Sequence, residues 1–266
     1  MAINASKSLG DRLSEAPNAR TWIGGVSVVL FLAAWQVIGA NEIVRSDLIS
    51  YPGEIAAAAY DLASSGELGA NALTTLREFA QGFAPAILAG ILLGLGFALS
   101  RLARSLFEPL FVAMYTAPLI AFVPLLVVWF GVGSTSKAVT TFLAAVVPIA
   151  INTTTGVRET QESWVRALRA FGATRGQIIV KAILPGAMPI IMAGLRLAIG
   201  RAIVGVIAAE MYVSTSGVGR MIQTYSTAGR AAEIFVLVGE VSGFGFMCVW
   251  LLRRLENRLA PWRARA

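Results

Sequence analysis

Apolar positions along this chain come in long unbroken runs, without the strict alternation of a half-buried strand or the three-and-four spacing of a soluble amphipathic helix. TWIGGVSVVLFLAAWQVIGA fills 21–40, and further runs cover 79–100, 106–130, 139–157, 187–213 and 234–252. As helices rising about 1.5 Å per residue, such runs cross a hydrocarbon layer of about 30 Å. The pattern predicts an all-α membrane protein: six transmembrane helices in one domain over 21–254, a polar segment 1–20 before it and a basic tail 255–266 after it. The first run is too long for a signal-peptide core and has no convincing cleavage site, so it reads as an uncleaved span. In the segment before it, Leu9 and Leu13 lie one helical turn apart, which fits either a short helix on the membrane surface or a frayed tail.

Small residues and prolines give the runs individual character. Gly82, Ala86, Gly90 and Gly94 recur every four residues, a stripe that lets helices approach closely in lipid, with backbone flexibility as the rival use. LFEPLFVAMYTAPLIAFVPLLVVWF, 106–130, holds Pro109, Pro118 and Pro124. Each proline removes a backbone donor, so this span is expected to kink or break, and broken helices at membrane depth line transport pathways or simply bend. Tyr115, Pro118 and Pro124 are accordingly pathway candidates. Between the first two runs, Pro52 near the start of a short mixed stretch predicts a surface helix.

Composition narrows the chemistry. Hydrophobic residues make up 56% and charged ones 14%, against about 45–50% apolar in soluble domains, which agrees with the bilayer reading. The net charge of +7 would point a soluble protein toward nucleic acid. Here the cations gather in 1–20, 101–104, 158–181 and 253–265, which six spans put on one side, so positive-inside topology absorbs them and no nucleic-acid partner is expected. Both termini and the 158–186 connection are then cytoplasmic. Without histidine there is no Ser-His-Asp or Cys-His nucleophile system and no His-containing metal site, and Cys248 has no intrachain partner. A phosphate-binding G-x-x-x-x-G-K-[ST] loop is absent too. No catalytic, cofactor or metal residues are therefore assigned.

Charges also fall inside the last two apolar runs. Arg196 and Arg201 lie five residues apart, about 140° around a helix, and read as a protein-packed, partly cytoplasmic helix end or as cations facing the bundle interior. Glu210 is either a pathway acid or an outer helix-end carboxylate, and Glu240 a packed partner of some neighbouring polar group. An ion-coupled secondary carrier using Glu210 or Glu240 is the alternative function.

RALRAFGATRGQIIVKAILPG, 166–186, stands apart as a polar interruption. It divides into two helical pieces around Gly-Ala-Thr, with Gly172 supplying a backbone conformation that a Cβ resists and Pro185 marking the return to the membrane. Leu168, Phe171, Ile178 and Ile179 are expected to offer apolar contacts to a partner.

These residues resemble the inner-membrane permease subunits of bacterial ATP-binding-cassette importers. Their signature of E-A-A, three residues, Gly, nine residues and I-x-L-P is met by Ala167, Gly172, Leu184 and Pro185, and departs at Arg166, Leu168 and Ala182. PLLVVWFGVGSTSK, LPGAMPIIMAGLRLAIGRAIVGVIAAEM, STSGVGRMI and RLENRLAPW also look like the nitrate, sulfonate and taurine branch. The resemblance implies a type I importer permease fold with a coupling helix between spans 4 and 5. It also implies a homodimer, two separate ATPase subunits holding ATP and Mg, a soluble substrate-binding protein outside, and a bacterial inner membrane around the complex. Its coupling contacts would come from Arg166, Ala167, Leu168, Arg169, Phe171, Gly172, Ala173, Thr174, Gln177 and Pro185, and Glu210 would join the pathway candidates. The implied cargo is a small anion or organic acid, such as a sulfonate, taurine or nitrate.

Overall fold

A computed structural model describes residues 19–41 and 50–259, all helices and short turns. The expected surface helix at Leu9 and Leu13 and the end of the basic tail lie outside the described residues. The described residues form two compact units, one of 19–41, 50–62 and 225–236 and one of 63–224 and 237–259.

In the first unit, α1 (Ala19–Ala40) and α2 (Pro52–Ser64) are joined at their ends. Trp35 Nε1 donates to the Ser50 carbonyl at 2.9 Å, and the Gly53 N–H donates to Gln36 Oε1 at 2.8 Å. Proline at the first position of α2 costs nothing, since that N–H would lack a helical acceptor. Ser50 Oγ donates to Glu54 at 2.8 Å, placing an acid on the helix N-terminus where the dipole favours it. Val29, Leu30 and Phe31 on α1 stay well exposed, as side chains meant for lipid would.

The second unit is built on α3 (Glu67–Leu99), α6 (Ser134–Arg158) and α9 (Leu184–Val213). The small-residue stripe brings α3 onto α6. A Cβ on Gly90 would come within 2.7 Å of Ile149 Cβ, one on Gly94 within 2.5 Å of Thr153 Cβ, and one on Gly82 would strike the Ala138 carbonyl. Close packing is thus what the stripe does. On the other side of α6, a Cβ on Gly194 would lie 2.5 Å from that of Asn152, so α9 is held just as near. Ile149, Ala198, Ala202 and Val206 fill the core of this triad.

Two helices, α4 (Arg101–Thr116) and α5 (Leu119–Phe130), occupy the proline-rich run. They meet at 102°. The break is at Pro118: its ring forces Ala117 out of the helical region to φ −64°, ψ 138°, whereas Pro109 and Pro124 lie inside their helices. Among the described residues the six expected runs therefore become five helices long and apolar enough to span, and a sixth crossing if the bent pair is one span.

After α6 come α7 (Glu162–Ala170) and α8 (Arg175–Ile178), a π-turn over Ile179–Ile183, and α9 without a break. This corrects the expectation for Pro185. The chain reverses at Phe171–Thr174, and Pro185 sits within the first residues of α9 in one helical run, Arg175–Val213. The π-turn supplies the reason: it widens the helix immediately before Pro185, with the Leu184 N–H reaching back to the Ile179 carbonyl, so the ring meets a loosened turn. The remaining helices are α10 (Val218–Thr227) and α11 (Ala231–Leu259). On α11, Phe244 meets Phe79 of α3 edge-on at 5.2 Å, and Glu256 pairs with Arg196 of α9.

Candidate functional site

Three assemblies in the second unit contain the predicted site residues. The first is the hairpin of α7 and α8. Its turn is fixed entirely by local bonds: the Ala173 N–H donates to the Leu168 carbonyl at 3.0 Å and the Gly172 N–H to that of Arg169 at 2.9 Å. This pair of bonds is a Schellman closure, and it requires the left-handed φ of 75° found at Gly172. Thr174 then starts α8 with a capping box, accepting from the Gln177 N–H at 3.3 Å while its own N–H donates to Gln177 Oε1 at 2.8 Å. Between the two caps Phe171 stands 87% exposed, although it is a large apolar ring.

Around that ring, Arg166, Ala167, Arg169, Thr174 and Gln177 are exposed, and Leu168 and Ala173 are half-buried. Ile178, expected to face a partner, is instead buried within the chain's own packing, and Ile179 is half-buried. Pro185 lies beyond the hairpin, half-buried at the start of α9.

The second assembly is a cavity of about 630 Å³ bounded by α4, α5, α6 and α9. Pro118 lines it, as do Phe122, Leu126, Trp129 and Val204. Arg201 is the ionisable side chain among its lining residues. Its guanidinium lies 3.8 Å from the centre of the Tyr115 ring and donates to the Tyr115 carbonyl at 3.1 Å. Tyr115 thus reaches the cavity through the arginine it holds, while Pro124 is exposed on α5 and absent from the lining.

Glu210 belongs to a third assembly, separate from that lining. It is completely buried near the end of α9, accepting from Thr75 Oγ1 at 2.7 Å and from the Gly219 N–H at 2.7 Å. Thr75 in turn accepts from the Val218 N–H at 3.0 Å, and Asn71 from the Gly217 N–H at 2.7 Å. Gly217, at φ 106°, packs so tightly on the Glu210 carboxylate that a Cβ would collide with it. Nearby, Lys137 of α6 forms a buried ion pair with Glu78 of α3 and donates to Ser214 Oγ at 2.9 Å. These bonds clamp the 214–219 turn onto α3 and α6. Sequence reading missed the Glu78–Lys137 pair, because Lys137 resembles any polar turn residue until the fold brings α3 beside it.

Glu240 lines a smaller cavity of about 400 Å³, and one of its carboxylate oxygens is buried without a hydrogen-bond partner. Both intramembrane arginines contact protein, Arg196 through Glu256 and Arg201 through Tyr115. No group of three or more metal-ligating His, Cys, Asp or Glu residues occurs among the described residues.

Apolar spanning helices, a capped polar hairpin and a half-open apolar cavity with one charge are the parts of a transport permease. Residues 86–259 match the family described as binding-protein-dependent transport system inner membrane component, and the chain belongs to that family. It is 30% identical over 243 residues to the putative aliphatic sulfonates transport permease protein SsuC of Bacillus subtilis, covering 91% of this chain and 88% of that one. It is 28% identical over 241 residues to the taurine transport system permease protein TauC of Escherichia coli, covering 89% and 88%. A solved chain from the methionine ABC transporter MetNI, in an inward-facing conformation, shares its fold at a TM-score of 0.57 and 21% identity, over 73% of this chain and 94% of that one.

The chain is accordingly a permease subunit of an ATP-binding-cassette importer and not an enzyme, with ATP hydrolysis on a separate subunit. This favours the importer over the ion-coupled carrier. Inner-membrane residence and the involvement of an ATPase and a binding protein follow at the level of the family.

Proposed function

We propose that this permease works as a homodimer in the lipid bilayer, moving a small anion or organic acid of the sulfonate, taurine or nitrate type handed over by the binding protein. The relatives' transport roles support that substrate class. Two ATPase subunits carry the ATP and Mg, and this chain carries no cofactor. The observation that carries the coupling role is Phe171: a large apolar ring held out, fully presented, between two capped helices that lipid cannot accommodate.

In this reading Arg166, Ala167, Leu168, Arg169, Phe171, Gly172, Ala173, Thr174 and Gln177 form the surface seated in the ATPase, and Pro185 begins the helix that carries its movement inward. ATP-driven closure of the ATPases would shift the hairpin as a rigid body and exchange inward-open for outward-open packing, a ligand on a partner favouring one of two arrangements. Tyr115 and Pro118 flank the pathway. Pro124 contributes to the shape of the broken span, and Glu210 holds the turn that closes one end. Six crossings with both termini and the hairpin in the cytoplasm agree with the clustering of Arg158, Arg166, Arg169, Arg175 and Lys181 in one connection.

Gly172→Leu tests the coupling role. A Cβ at φ 75° is strained, yet there is open space around it, so the variant is expected to insert normally while ATPase co-purification and uptake fall sharply. Normal co-purification together with normal uptake would falsify the coupling role.

A further inference from the structure

Arg201 lies about 25 Å along α9 from Leu184, deep in a membrane-spanning helix where an ionised side chain is costly. Tyr115 accounts for part of its stability there. Its carbonyl is among the last of α4, left without a helical donor by the break at Pro118, so the guanidinium caps a helix C-terminus while the ring covers one of its faces. That capping bond uses one of the five N–H donors of an arginine.

Arg196, five residues earlier, has its charge answered by Glu256; no carboxylate among the described residues pairs with Arg201. What lies beside Arg201 is the cavity. Its size falls within the range of about 300–1,000 Å³ typical of small-molecule sites, and its walls are almost wholly apolar. The cavity is half open, and Arg201 is the charged group that an anion entering it would meet.

We propose that Arg201 selects the transported ion, taking the charged head of an organic anion whose alkyl or aromatic body fills the rest of the cavity. This rests on the importer reading above and narrows it. A sulfonate or carboxylate offers the fork of oxygens that a guanidinium binds through two parallel hydrogen bonds. Nitrate has no apolar body to bury against Phe122, Leu126 and Trp129. Taurine brings an ammonium group, for which the cavity lining holds no acid.

The permease with its ATPase, embedded in lipid nanodiscs, would be titrated calorimetrically with hexanesulfonate, hexyl methyl sulfone, hexyltrimethylammonium, nitrate and taurine, with empty nanodiscs as the blank. Hexanesulfonate is expected to bind at least about tenfold more tightly than each of the other four, the scale of a charge-assisted hydrogen bond. Arg201→Gln is expected to abolish that preference and Arg201→Lys, which keeps the charge without the fork, to retain part of it. Equal affinity for hexanesulfonate and the sulfone or taurine in the unmutated complex overturns the inference, and so does undiminished preference in Arg201→Gln. The unmutated comparison stands even where the glutamine variant folds poorly. Binding-protein-stimulated ATP hydrolysis tests the importer reading separately: its absence in the unmutated complex sinks that reading, whereas stimulation with charge-blind binding sinks only the role of Arg201.

Discussion

Cations in the hairpin and cations in the helical core are the same residue types under opposite rules. Arg166 lies 3.6 Å from Glu162 with both side chains more than two-thirds exposed, and Arg169 and Arg175 are exposed as well. Such pairs contribute at most about 1 kcal/mol, so the hairpin's shape must come from its backbone closures at Gly172 and Thr174. In the core, Lys137 and Glu78 are both almost fully buried, and their charges are tolerable only because each answers the other. One region treats charge as exchangeable surface; the other cannot lose a single member of a pair.

The widest gap between the two should appear at Lys137. Lys137→Ala strands the Glu78 carboxylate and removes a donor from Ser214, and is expected to destabilise by about 3–5 kcal/mol, measured by unfolding in nanodiscs. Replacing the pair together, as Lys137→Met with Glu78→Leu, should recover most of that loss. On the hairpin side, Thr174→Ala breaks the capping box and should cost about 1 kcal/mol of local stability, seen as faster amide exchange over 174–178. Smallest of all, Arg166→Gln should change stability by less than about 0.5 kcal/mol in the same unfolding measurement. An Arg166→Gln effect larger than that of Thr174→Ala would break the comparison, and would make a specific ion pair with the ATPase the better account of that position.

What could be read from the sequence follows the distance over which each feature is determined. The hairpin was legible because its closures join residues within five positions of one another, and Gly172 marks the turn between the two pieces. The stripe at Gly82, Ala86, Gly90 and Gly94 was legible as spacing, although its partner helix was not. Of three prolines in 106–130 only Pro118 breaks the helix, a choice made by how α4 and α5 pack and invisible in the residue type. Pro185 was misjudged because a π-turn, which leaves no simple sequence mark, absorbs its ring. The bonds of Glu210 to Thr75, and of Lys137 to Glu78, join positions remote in sequence, and only the packing of α3, α6 and α9 reveals them.

Because no break intervenes from Arg175 to Val213, that helical run behaves as a single rod with one compliant turn near its base. Arg201 sits about 40 Å from Thr174 along it, at about 1.5 Å per residue. A tilt of about 10° pivoting at the hairpin would sweep Arg201 through about 7 Å, enough to carry its guanidinium off the Tyr115 ring. The rod would therefore act as a lever: a small angular motion at the hairpin becomes a large displacement at the one charge in the cavity.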